Sequence, residues 1–318
     1  MFRQLDEPSP NSARNVHIYN HEGHILGGVW QNGAITNAHL YEMCNIFLNA
    51  SEPYSLFRLN ADGSTNGRIG TKNRSALQPG SYIVLSNNGN PISVETTEEA
   101  PARRVITKGS TEKLTLRKKK FQERVRSRDD HCMISGLPNL RGNDFSLFDA
   151  AHIYPYAREQ AWVNQNLSRW ITDNSPEEHQ GITKIHSVQN GLLISHNVHT
   201  WFDSYKVTVN VADDYRIICL AEDPMNLDGR TLDPRCRNLQ DPDRVSDQLL
   251  RWHHRQAVLS HMKDAGEKSW ETEFEDGTDM MGEILAGPDS RERMEAEMFT
   301  RLGAGEIHYP TSPEVSSP

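Results

Sequence analysis

The sequence predicts an α+β protein with two compact regions and polar tails. Three observations carry this. Residues 15–95 alternate short apolar runs with turn residues, the mark of a small sheet. Residues 145–203 read as strand, loop and helix, with His152, Asn190 and His199 set inside apolar runs where periodicity alone asks for none of them. Residues 113–128 and 245–265 carry apolar side chains at helical spacing.

The chain has 318 residues, enough to bury one or two substantial cores. Its net charge of -9 excludes a surface that binds polyanions everywhere, so any nucleic-acid face must be local. The four cysteines, Cys44, Cys132, Cys219 and Cys236, form no CxxC pair. That argues against a disulfide framework and a four-cysteine zinc site, and fits a reducing compartment in nucleus or cytoplasm. No apolar run suits a signal peptide or a membrane-spanning helix, so no membrane partner is expected.

In chain order, residues 1–14 are expected to be disordered. Residues 15–95 should form the N-terminal α+β region. His17-Ile18-Tyr19, the run 25–30 and Ala34-Ile35-Thr36 read as strands, as do residues 54–59 and 81–86. A helix is expected over residues 38–48, with Leu40, Met43, Cys44 and Phe47 inward and Asn37 as its N-cap. His17, His21 and His24 would share a helix face, but Gly23 and the strand signals make them turn and surface histidines. Residues 96–112 read as a linker.

Residues 103–128 hold eleven Lys or Arg against two Glu, a local charge of +9 in an acidic chain. A helix over residues 113–128, with Leu116, Phe121 and Val125 apolar, would present Arg117, Lys118, Lys119, Lys120 and Arg124 to phosphates. The bland alternative is a solvated helix face. A nuclear-import reading of Arg117-Lys118-Lys119-Lys120 is weaker.

Cys132-Met133-Ile134-Ser135-Gly136 looks like the start of a hairpin, with Cys132 a buried structural residue. Ala150-Ala151-His152-Ile153-Tyr154-Pro155 ends a strand, with Pro155 as its stop. The polar and aromatic insert 156–187, which contains Trp162, Trp170, Asp173, His179 and His186, has no readable role. Residues 206–210 and 215–220 form a hairpin around Ala212-Asp213-Asp214. The helix over residues 245–265 should bury Leu249, Leu250, Trp252, Val258, Leu259 and Met262. Its adjacent His253 and His254 point different ways and suit the core rather than a metal. Residues 266–318 form an acidic extension with a helix at 291–302 and a disordered tail.

His152, Asn190-Gly191 and His196-Asn197-Val198-His199-Thr200-Trp201-Phe202-Asp203, in this order, resemble the HNH (His-Asn-His) endonuclease motif. The closer resemblance is to fungal HNH-endonuclease-like proteins, which share the alanine before the first histidine. It implies a ββα-metal core with an extra β-hairpin, preceded by a small α+β region and followed by helices. It also implies phosphodiester hydrolysis of nucleic acid, DNA in particular, with one divalent ion: Mg, Mn or Zn. His152 then fits the general base, since an imidazole accepts protons near neutrality. Asn190 fits the middle position, holding the motif's loop or approaching the metal. His199 and Asp203, four apart on a helix, would chelate the ion. His199 is expected to open that helix, with Ser195 or Asn197 as N-cap.

One departure matters. Active relatives commonly place an acid or a histidine directly before the base, and this chain has Ala151. Asp149 lies on the same side of the strand but about 7 Å back, too far to be counted on. The expectation is a site short of one ligand. The rival reading is a catalytically silent nucleic-acid-binding or protein-interaction module on the same fold.

Overall fold

β1 (Val16–Tyr19) and β2 (Ile25–Val29) form an antiparallel hairpin, and β1 also pairs in parallel with β6 (Gly80–Ser86). β4 (Tyr54–Leu59) runs antiparallel to β6 and to β5 (Thr65–Arg68), giving a five-stranded sheet of order β2-β1-β6-β4-β5. β3 (Leu48–Ala50) and β7 (Val94–Thr96) make a separate antiparallel pair. α1 (Asn37–Phe47) covers the sheet with Leu40, Met43, Cys44 and Phe47, as their spacing predicts. In the computed structural model the described residues are 5–8, 14–60, 62–102, 104–105, 116–263, 272–273 and 281–282. Met1–Glu273 form one compact unit and Phe274–Pro318 a second; the sheet and every element named below lie in the first.

Two local expectations are corrected here. Residues 34–36 are not a strand; they make only one bridge, Thr36 to Ala76. Side chains occupy their backbone groups instead. Gln31 Nε2 donates to the Ile35 carbonyl at 2.7 Å, and Asp228 Oδ2 accepts from Ala34 N at 2.8 Å. The N-cap of α1 is Thr36, not Asn37. Its hydroxyl accepts from His39 N, and His39 Nδ1 accepts in return from Thr36 N, so two orphan donors are satisfied.

β8 (Arg104–Val105) pairs in parallel with residues Thr272–Glu273. α2 (Leu116–Asp129) begins where description resumes after residue 105. It buries Phe121, Val125, Arg128 and Asp129, while Leu116 is exposed rather than inward. Residues 132–136 form a tight turn rather than strands. Gly136, at φ 71°, donates to the Cys132 carbonyl at 2.9 Å, and the chain reverses before a second strand can form. Cys132 is buried, as expected, with the other three cysteines also buried and free.

β9 (Phe148–His152) follows, and the insert after it folds into short helical turns, including α3 (Glu159–Asn164) and α4 (Glu177–Gln180). β10 (Gly191–Ser195) pairs antiparallel with β9 and leads directly into α5 (His196–Asp203). The predicted hairpin is β11 (Val207–Asn210) with β12 (Arg216–Cys219). α6 (Asp247–His261) is shorter than the helix expected over residues 245–265 by two residues at its start and, among the described residues, by two at its end, where Met262 is still buried. It joins two apolar cores: Leu249 and Leu250 pack with the β9–β10 layer, and Ala257, Val258 and Leu259 with the N-terminal sheet. His253 is buried, donates Nε2–H to the Phe202 carbonyl at 3.0 Å and stacks on Phe202. The mixture of helices and strands is α+β. No helix among the described residues is long and apolar enough to cross a membrane. The expected disorder of residues 1–14 and 309–318 and the helix at 291–302 lie largely or wholly outside the described residues, as do residues 103 and 106–112 of the linker 96–112.

Candidate functional site

The site is built on the β9–β10 ribbon, where His152 faces Gly191 across the pair and Asp149 faces Ile194. Alternation sends Asp149 and His152 to opposite faces. α2 packs on the His152 face and α5 on the Asp149 face. Gly191 permits the first contact. A Cβ there would stand 2.6 Å from the Phe121 ring and 2.7 Å from Val125, so only glycine lets α2 approach so closely.

His152 stacks on Phe121 at a ring-centroid distance of 3.8 Å. Its Nε2 lies 3.1 Å from Nδ1 of His186, which comes from the insert. Tyr156 tilts over both imidazoles, and the Lys118 ammonium sits 4.3 Å from the centre of the Tyr156 ring. Burial lowers the His186 pKa. Lys118 and Arg117 act the same way, and Glu159 opposes them.

Asn190 is fully buried. Its Oδ1 accepts from Tyr154 N at 2.8 Å, and its Nδ2 donates to the carbonyls of Tyr154 at 3.0 Å and Ile185 at 2.9 Å. Its backbone carbonyl accepts from Ile153 N. Asn190 therefore ties the residues just after His152 to the residue just before His186.

On the other face, Ser195 caps α5 by position, without a side-chain hydrogen bond, and His199 lies in the middle of the helix rather than at its start. His199 Nδ1 donates to Asp149 Oδ2 at 2.9 Å, and its Nε2 lies 3.2 Å from Asp203 Oδ2. Burial alone would lower the His199 pKa; the bonds to the two carboxylates outweigh it and take it up to about 9. Asp149 is shared. It also accepts from His196 Nδ1 at 2.6 Å, while His196 Nε2 donates to the Ser146 carbonyl. Asp149, which strand rise placed short of the ion, does reach the helix that carries the expected ligands.

The basic residues divide sharply. Arg117 and Lys119 are exposed. Lys120 pairs with Glu123, and Lys118 belongs to the Tyr156 contact. Arg124, expected at a phosphate, is engaged elsewhere: it bonds both oxygens of Asp173 at 2.7 and 3.2 Å and Asp243 at 2.8 Å. Arg128 is buried against Asp129 and donates to the carbonyls of Val188, Gly191 and Asp243. Much of the +9 run thus ties α2 to the insert and to the loop before α6.

A ribbon, a following helix and a buried asparagine clamping the loop after a strand-end histidine make up the matched pattern. Residues 132–210 match the family model described as HNH endonuclease. The matched segment spans β9, β10, α5 and β11, and so contains His152, Asn190, His199 and Asp203. Residues 13–90 match a second model, described as a domain of unknown function (DUF8573), which spans the five-stranded sheet. No curated protein and no solved structure matches the chain. The family description fits a nuclease-type function acting on nucleic acid, and that family usually uses a divalent metal.

The donor chemistry of α5 accommodates such an ion in a limited way. A nitrogen and an oxygen 3.2 Å apart suit neighbouring positions around one cation with bonds of about 2.0–2.2 Å. Asp149 then holds the other ring nitrogen, the usual carboxylate–histidine support of a metal ligand. Among the described residues no group of three or more His, Cys, Asp or Glu is arranged around one point. The structure thus brings His199 together with Asp203, and His152 together with the loop that Asn190 holds, as two groups on the two faces of the ribbon. Sequence reasoning missed His186, His196 and Tyr156. The only local signal for His196 was its place three residues before His199, one helical turn away.

Proposed function

We propose that the chain is a metal-dependent endonuclease of the HNH type, hydrolysing phosphodiester bonds of nucleic acid, in the first instance DNA. The observation that carries this is the joint presence, within the segment matching that family, of the clamped His152 and the His199–Asp203 donor pair. His152 accepts the proton of the attacking water. Asn190 acts by holding the His152 loop. His199 Nε2 and Asp203 hold the ion, and Asp149 orients the His199 ring through Nδ1. An Mg, Mn or Zn ion held there would supply charge stabilisation to the phosphate and the leaving oxygen; because His152 and the donor pair stand on opposite faces of the ribbon, the reading requires the bound nucleic acid to bridge the two faces at its edge. Lys118, beside Tyr156, and the exposed Arg117 and Lys119 take up backbone phosphates. On this reading residues 113–265 carry the nuclease part, and residues 15–95 an accessory layer joined to it by α6. Four buried free thiols fit a reducing compartment, nucleus or cytoplasm.

The rival is a silent nucleic-acid-binding or protein-interaction module. It is favoured by one observation: carboxylates already engage both nitrogens of His199. Plasmid nicking by the full chain with Mg, Mn or EDTA separates the two. Wild type should nick only with metal. His152→Ala should lose roughly 100-fold or more while binding duplex DNA within about threefold. Equal nicking by the variant sinks the assignment of His152, and metal-independent inertness of the wild type favours the silent module.

A further inference from the structure

The five-stranded sheet carries a charge pattern that the nuclease chemistry does not use. Residues 53–94 hold a single acid, Asp62, against Arg58, Arg68, Lys72 and Arg74, a net +3 in a chain of net charge -9. All four basic residues are exposed. Asp62 is engaged on its own loop, where it accepts from Ser64 N at 2.9 Å and from the Ser64 hydroxyl. Arg74 lies 3.6 Å from Asp213, a carboxylate that His39 and Arg216 also engage. Arg58, Arg68 and Lys72 have no carboxylate partner among the described residues.

These cations stand on an ordered frame. Arg58 is on β4, and its neighbour Phe57 pairs with Arg68 on β5, the edge strand, whose four residues are all exposed. The chain after β5 is fastened along the start of α1. Tyr41 Oη donates to the Ile69 carbonyl at 2.9 Å, Ala38 N to the Asn73 carbonyl at 2.9 Å and Asn37 N to the Ser75 carbonyl at 3.1 Å. Asn73 N donates to the Gly70 carbonyl at 3.0 Å, which puts Thr71 and Lys72 at the head of a turn. The surroundings of the cations bear on what they meet. Thr65, Asn66 and Thr71 are exposed beside them and add hydrogen-bond donors. Among the described residues, none of the exposed large apolar side chains falls within 53–94. A protein partner needs an apolar centre to its contact, whereas a phosphate backbone needs only cations and donors.

We propose that this surface, with Arg58 and Arg68 at the sheet edge and Lys72 on the turn beyond it, binds the phosphate backbone of nucleic acid. The N-terminal sheet, which matches a family model of unknown function, then has a binding role of its own. The choice of nucleic acid as the partner rests on the reading of the chain as an HNH-type nuclease. Arg117 and Lys119 of α2 hold one stretch of backbone, and the sheet edge holds another. Each phosphate met by a cation releases counterions, so the contribution of the sheet appears as salt dependence. Contacts to phosphates position the nucleic acid without reading its bases.

Binding of duplex DNA by the full chain in EDTA tests this without any cleavage. In the wild type, trace acetylation of Lys72, read by mass spectrometry, should fall about threefold or more when the duplex is bound. Combining Arg58→Ser, Arg68→Ser and Lys72→Ser should reduce the slope of log affinity against log salt by about 2–3. Tm should stay within about 2 °C of wild type, because the three side chains are exposed. The pair Arg169→Ser with Arg251→Ser, which removes exposed cations elsewhere, should change the slope by less than about 0.5. Unchanged acetylation of Lys72 overturns the proposal, and so does a slope that falls equally per charge in both variants, since that effect belongs to net charge. Loss of binding to polyglutamate in the triple variant, with an unchanged slope for DNA, would assign the surface to an acidic protein and overturn it too. A wild type that nicks DNA with Mg while Lys72 stays open removes the surface and spares the nuclease reading. A wild type that never nicks but covers Lys72 on DNA does the reverse.

Discussion

Replacing Asn190 by alanine tests the clamp most directly. The side chain is fully buried and makes three hydrogen bonds to backbone, two at Tyr154 and one at Ile185. Alanine leaves Tyr154 N, Tyr154 O and Ile185 O without those partners. Each buried unsatisfied group costs about 1–3 kcal/mol, and a water entering the space would recover part of it. A net loss of roughly 3–5 kcal/mol follows. For a unit of this size each kcal/mol lowers Tm by about 2–4 °C, so Tm should fall by roughly 10 °C. Calorimetry reads the shift, and hydrogen exchange at Ile153 and Tyr154 locates it. Asn190→Asp sharpens the test. It keeps the acceptor for Tyr154 N but aims a carboxylate at two carbonyl oxygens, so at neutral pH it should be at least as damaging as alanine. A fall in Tm below about 2 °C for Asn190→Ala, with unchanged exchange at Tyr154, would refute the clamp.

Two further outcomes are expected. The His199 pKa, raised from 6.5 to about 9, contributes stability that is fully present below pH 6.5 and lost as pH rises through about 9. Because Nε2 must lose that proton to bind an ion, apparent Mn or Zn affinity should rise about tenfold per pH unit between pH 7 and 9, with proton release visible in calorimetry. Affinity independent of pH over that range, or unaffected by His199→Ala, would remove His199 from the metal. The exposed pair Arg117→Ser with Lys119→Ser should reduce the slope of log affinity for DNA against log salt by about 2. Arg124→Ser should instead chiefly lower Tm, through the loss of its bonds to Asp173 and Asp243; the reverse pattern would mean that the two sets of basic residues have been misassigned.

Periodicity and turn chemistry were enough to read β1, β4, α1, the β11–β12 hairpin and α6, because the signals for such elements lie within a few neighbouring residues. The ribbon, the strand-end place of His152 and the His199–Asp203 helix turn were legible for the same reason. The errors at residues 34–36 and at the α1 cap came from side chains competing for backbone groups: Asp228 bonds Ala34 from 194 positions away, which no local pattern encodes. Net charge likewise could not say which basic residues are free. Arg124 and Arg128 look like Arg117 in sequence, and only folding brings Asp173 and Asp243 to Arg124, and the carbonyls of Val188, Gly191 and Asp243 to Arg128. The same holds for Asp149 at His199, 50 residues away, and for His186 at His152, 34 residues away. Sequence alone determined which residue types were available and on which strand or helix they would stand. The partner of each imidazole, and with it the protonation state, was decided only by tertiary structure, because a hydrogen bond depends on distance in space and not along the chain.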